Sequence, residues 1–139
     1  MVDEAVQAAK TAAILDAVRR VRETLPQTAA QLHDDRTARE VVILNLFVAI
    51  QESLGLATHW LSDEGRTVPA TYGEVFLALA DRGVIERSLA QRLAAAAGLR
   101  NLIAHQYGRL DVDRIHAIAS TSLDDFIALC RLLARRSDS

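Results

Sequence analysis

The segment Arg100-Asn101-Leu102-Ile103-Ala104-His105-Gln106-Tyr107-Gly108 sets polar side chains among apolar ones within about two helical turns. Asn101 and His105 are four residues apart, so on a helix they share a face. Arg100 lies about 100° from Asn101 around the same helix and borders that face. Histidine takes or gives a proton near neutral pH. Arginine holds a phosphate through paired N–H donors and stabilises the extra negative charge of a phosphoryl transition state. The set suits cleavage of a phosphodiester, with RNA supplying its own nucleophile in the 2′-hydroxyl. Tyr107 falls on the last turn, where a second protein could reach its hydroxyl. Gly108 is placed to end the helix in a left-handed conformation. The spacing alone does not decide the matter, because most histidines spaced like this from an arginine on a helix are merely packed or solvated.

The other ionisable groups argue for no metal and no cofactor. His33, His59 and His116 have no ligand-like spacing, and no paired carboxylates accompany the motif. The single cysteine, Cys130, rules out an internal disulfide and sits in an apolar helical stretch, where a buried thiol is expected.

The elements that must position the motif read as helices throughout. With 139 residues the chain fits one domain, 1–139. Half of the residues are hydrophobic but only 4% are aromatic, so the core must be built from Leu, Ala, Val and Ile, a composition that favours helix. Val6, Ala9, Ala13, Ile14, Ala17, Val18 and Val21 recur at helical steps, and Pro26 ends that element. Residues 28–35 are polar and fit either a loop or the start of the next helix. From 36 to 61 apolar residues cover much of the helix circumference, which predicts a central helix contacted on more than one side. Its polar members, Asn45, Gln51 and Glu52, must find partners if buried. Residues 62–71 read as a loop, with Thr71 as the N-cap of a short helix and Glu74 as reciprocal capping partner. Gly83 should end that helix. Residues 84–110 carry the motif helix, in which Gly98 marks a break or a close backbone approach. Acids at 111–113 start a last apolar helix that runs to about Leu133. The expectation is an all-α bundle of about five helices.

A net charge of −2 is not that of a protein coated in nucleic acid, so any anion site must be local. Lys10 is the only lysine, and the remaining cations are arginines. Phosphate recognition and GC-rich codon usage both produce this bias. Asp3 and Glu4 interrupt any signal-like start, and the uninterrupted apolar runs fall short of the roughly 20 residues of a membrane span. The expected setting is cytoplasmic, with no membrane partner.

The motif resembles the Arg-Asn, four-residue spacing, His-x-Tyr signature of HEPN proteins in the form seen in HepT-like ribonuclease toxins. The resemblance extends upstream. Val68-Pro69-Ala70-Thr71-Tyr72-Gly73-Glu74-Val75-Phe76 is similar to that family's Pro-x-[Ser/Thr]-Tyr-x-Glu-x-Phe stretch. Residues 77–85 resemble the pattern that follows it, and His59 follows the long helix as in the family. The similarity runs from about residue 36 onward; the first helix matches only in character. It implies a HEPN-type bundle that dimerises with two motif helices facing across a cleft, and metal-independent endoribonuclease activity. Arg100 and His105 would be the catalytic pair with Asn101 as polar support, and Arg100 and Arg109 would line a local RNA-binding cleft. The implied partner is a minimal nucleotidyltransferase antitoxin of the MntA type, transferring AMP from ATP to Tyr107. A homodimer is also expected chemically, since a two-fold axis would gather two Arg and two His where one motif offers too few groups.

Two other readings stay open on the sequence. A HEPN module could bind RNA or nucleotide, or scaffold the nucleotidyltransferase, without cutting. A plain bundle could use the same polar residues to cross-link its helices.

Overall fold

In a computed structural model of the chain, residues 3–63, 65, 68, 69 and 71–137 are described, the side chains of Asp63, Tyr107, Arg136 and Ser137 excepted. The described chain is helical: α1 (Glu4–Thr24), α2 (Ala29–Asp34), α3 (Arg36–Asp63), α4 (Tyr72–Asp81), α5 (Arg87–Gln106), a 3-10 turn (Tyr107–Arg109), α6 (Val112–Thr121) and α7 (Leu123–Ser137). The all-α class stands. The count of about five helices is corrected to seven among the described residues.

Both added elements have a local cause. Thr28 Oγ1 accepts the Gln31 N–H at 3.1 Å while Gln31 Oε1 accepts the Thr28 N–H at 3.1 Å. This reciprocal capping box turns the polar 28–35 stretch into α2, whose Leu32 is fully buried. The last apolar pattern breaks at Ser122. Just before it, Ser120 Oγ and Thr121 Oγ1 donate to the carbonyls of His116 and Ala117, at 2.7 and 2.8 Å. Side chains that bond back to the preceding turn bend helices. The bend lets Ile115 and Ala119 of α6 and Phe126 and Leu129 of α7 all enter the core.

The capping expected at Thr71 is also corrected. Thr71 has the extended backbone of an N-cap, but its side chain makes no cap bond, so the reciprocal pair with Glu74 does not form. Glu74 remains exposed in the first turn, where it favours the positive end of the helix dipole. Gly83 does end α4. At φ 74° its N–H reaches Ala80 O at 2.9 Å and the next N–H, of Val84, reaches Leu79 O at 3.1 Å, which closes the helix on two of its orphan carbonyls.

Buried apolar residues from all seven helices form one cluster. α3 runs through its middle and touches every other helix. Two of its polar members find partners: Asn45 donates to Val41 O at 2.8 Å and Glu52 pairs with Lys10 at 3.2 Å. By length and composition α3 is apolar enough to cross a membrane over Arg36–Ser62, a property the short apolar runs of the sequence did not reveal; half of that window is buried inside the bundle. α5 packs on α4 and α3, and it is unbroken at Gly98, where an added Cβ would meet only the Arg114 side chain at 3.9 Å. The expected break or close backbone approach at Gly98 is absent.

Candidate active site

The buried stripe of α5 consists of Leu89, Ala90, Leu93, Ala96, Ala97, Leu99 and Ile103. Arg100 lies at the edge of that stripe, half-buried against α3 and α4. Its Nε donates to Gln51 Oε1 of α3 at 2.9 Å, and its Nη1 donates to Asn101 Oδ1 at 3.2 Å. The guanidinium carbon lies 4.9 Å from the centre of the Tyr72 ring, on the first turn of α4, and 5.8 Å from that of Phe47 on α3. No carboxylate pairs with Arg100 among the described residues, so its positive charge is available to an anion.

Asn101 and His105 follow on the exposed side of α5. Asn101 turns its carbonyl oxygen to Arg100. The imidazole of His105 has no hydrogen-bond partner among the described residues and opens to solvent. The backbone thus brings Arg100, Asn101 and His105 together on two turns of one helix, with Arg100 and Asn101 in direct contact.

After Gln106 the chain tightens into the 3-10 turn that carries Tyr107, Gly108 and Arg109. Tyr107 opens that turn, and its side chain lies outside the described residues. The left-handed ending expected at Gly108 is corrected: the described glycines with positive φ are Gly65 and Gly83. A 3-10 turn takes over the helix end, which needs no left-handed residue. Arg109 is exposed and forms no ion pair among the described residues, one short turn beyond His105.

A shallow groove of about 430 Å³ borders Arg100 on its α3 side, lined by Glu40, Ile43, Leu44, Phe47, Ile103 and Ala104. It is mostly apolar, and Leu44 in it is 61% exposed. Among the described residues no group of three His, Cys, Asp or Glu side chains could hold a metal ion. Gln51, Phe47 and Tyr72 were not legible as site residues. In the sequence Gln51 is only a polar residue in an apolar helix, and Tyr72 only part of a motif stretch. Neither signal says which side chain each would meet.

Residues 14–133 match the family described as ribonuclease HepT-like. The chain belongs to this family. Among its relatives, the mRNA nuclease HepT of Shewanella oneidensis is 27% identical over 117 residues, which is 84% of this chain and 87% of that protein. Of solved structures, the tri-AMPylated Shewanella oneidensis HEPN toxin in complex with MNT antitoxin superposes with a TM-score of 0.85 at 25% identity, covering 97% of this chain and 99% of that one. A crystal structure of a toxin–antitoxin with AMP-PNP superposes with a TM-score of 0.86 at 24% identity, covering 94% of this chain and 98% of that one, and shares the fold. This HepT-like chain therefore has the helical architecture of HEPN toxins, with α5 as its motif helix.

Proposed function

We propose that this HepT-like chain, as one domain over 1–139, is an endoribonuclease toxin that cleaves RNA without a metal ion and acts as a homodimer in the cytoplasm. We further propose that an MntA-type nucleotidyltransferase antitoxin silences it by transferring AMP from ATP to Tyr107. The observation that carries the reading is the Arg100 guanidinium, which no carboxylate compensates among the described residues, on the same helix as the exposed His105.

The chemistry follows from those groups. The Nη donors of Arg100 hold the non-bridging oxygens of the scissile phosphate and take up the charge that grows as the 2′-oxygen adds to phosphorus. One imidazole accepts the proton of the 2′-hydroxyl, and a second protonates the departing 5′-oxygen. The 2′-oxygen–phosphorus bond forms, the phosphorus–5′-oxygen bond breaks, and the products are a 2′,3′-cyclic phosphate and a 5′-hydroxyl. His105 of each protomer supplies one of the two roles. Arg109, exposed and without an ion pair among the described residues, takes a neighbouring phosphate in this reading. The groove at Leu44 and Phe47 supports dimerisation beside the motif, because an apolar patch next to a polar site suits a second copy. The AMPylation reading is supported by the modified state of the Shewanella oneidensis toxin, which is similar in fold. An AMP group on Tyr107, two residues beyond His105 in sequence, would add a negative phosphate to the motif and compete with RNA in both charge and bulk.

Purified protein incubated with RNA in excess chelator should leave 2′,3′-cyclic phosphate ends. Loss of cutting in chelator that metal restores would overturn the metal-free step. A second reading has one observation behind it: no partner among the described residues orients the His105 ring. A binding module would hold RNA and never shorten it in the same assay.

A further inference from the structure

Arg100 is held by residues from three places in the sequence. Gln51 and Phe47 are one turn apart on α3, Tyr72 opens α4, and Asn101 follows on α5. A guanidinium carries five N–H donors in one plane. Nε–H is committed to Gln51 and one Nη1 hydrogen to Asn101, which leaves three of the four Nη hydrogens uncommitted. The guanidinium carbon also lies 4.9 Å from the centre of the Tyr72 ring and 5.8 Å from that of Phe47. Stacking on a ring consumes none of the in-plane donors. Arginine on a surface helix otherwise samples many rotamers, and most of them point its donors elsewhere. Tyr72 is 39% exposed, so its ring covers Arg100 at the rim of the bundle rather than filling the core.

We propose that Tyr72 and Gln51 are positioning residues that fix the plane of the Arg100 guanidinium and turn its Nη edge toward the phosphate that is cleaved. This gives a role to the Tyr72 stretch, which the catalytic motif does not use. It rests on the nuclease reading of Arg100, but the clamp itself can be observed without any cleavage.

The test uses the full chain with Tyr72→Phe, Tyr72→Leu and Gln51→Met, each also combined with Arg100→Ala. Three quantities are measured: the Arg100 Nε–H resonance, the affinity for a 2′-O-methyl oligoribonucleotide that cannot be cleaved, and kcat on RNA. Tyr72→Phe keeps the ring and should match the wild type throughout. Tyr72→Leu should shift the Nε–H resonance, because the ring current is lost, and lower kcat about tenfold with the melting temperature unchanged. Gln51→Met replaces an exposed side chain and should shift the same resonance. In the Arg100→Ala background neither substitution should weaken oligonucleotide binding further, since residues acting through Arg100 have nothing left to position. An Nε–H resonance indifferent to both Tyr72→Leu and Gln51→Met would overturn the clamp. An equal loss of affinity with and without Arg100 would overturn the positioning role. A wild type that cuts no RNA while the resonances shift as expected would remove the catalytic half and leave the clamp standing.

Discussion

Gln51 of α3 and Arg100 of α5, 49 residues apart in sequence, are joined by a 2.9 Å hydrogen bond from Nε to Oε1. The bond ties the motif helix to the central helix of the bundle. It also uses the inner guanidinium donor, Nε–H, and leaves Nη2 and one Nη1 hydrogen uncommitted. A neutral amide suits this place better than a carboxylate, because it accepts the bond without cancelling the charge that a phosphate would meet.

The same logic applies to Asn101, whose Oδ1 lies 3.2 Å from Arg100 Nη1. Asn101→Asp should weaken RNA binding more than Asn101→Ala, since it places a carboxylate against the guanidinium. Titration of labelled, uncleavable RNA at two salt concentrations measures this, and the Asp variant should show the shallower salt dependence. Equal affinity for the two variants would mean that Arg100 does not meet the phosphate.

Leu44 is 61% exposed within an apolar groove beside Phe47. If that groove closes on a second copy, Leu44→Asp should convert a dimer into a folded monomer in sedimentation and reduce RNA cutting with it. A Leu44→Asp protein that remains dimeric would place the two-fold contact elsewhere.

The capping geometry separates two threonines that look alike in sequence. Thr28 makes a side-chain cap bond and Thr71 makes none. Thr28→Ala should cost about 1 kcal/mol in urea unfolding. Thr71→Ala should cost less than about 0.5 kcal/mol, as for a surface change that breaks no cap. Equal costs would contradict the assigned helix starts.

Burial raises the Cys130 thiol from its ordinary 9.0 to about 11, and a hydrogen bond with the Thr11 side chain pulls it partly back. Below pH 9 both the folded and the unfolded chain keep this thiol protonated. Between 9 and about 11 only the unfolded chain ionises, so the folded chain binds more protons and this group's contribution to stability falls as pH rises. Thiol alkylation at pH 8 should therefore be slow in the folded protein and fast in urea. Cys130→Ser should flatten the loss of stability above pH 9. Rapid alkylation of the folded protein would show that the thiol is not enclosed.

The sequence made the long elements legible because hydrophobic periodicity survives over many residues. α1 begins at Glu4, two residues before the first apolar position of its pattern, and α3 begins at Arg36, where its pattern begins. α2 was not legible, because a six-residue helix offers one buried leucine and no period, and its capping box uses Gln31 rather than the commoner glutamate. The division of α6 from α7 depends on hydroxyl back-bonds within a pattern that stays apolar on both sides. Arg100, Asn101 and His105 could be read from local spacing, since all three lie on one helix. Tyr72, Phe47 and Gln51 meet Arg100 only through tertiary packing, which local spacing does not encode.

The most direct test of the nuclease assignment compares inducible expression of the wild type and His105→Ala in a host without the nucleotidyltransferase, followed by total RNA on a gel. His105 is exposed, so the substitution should leave folding within about 0.5 kcal/mol of the wild type. Growth arrest with fragmented RNA is expected for the wild type alone. Arrest and fragmentation that persist in soluble, folded His105→Ala would contradict the assignment of the imidazole, and intact RNA with unimpaired growth for both proteins would contradict the nuclease itself.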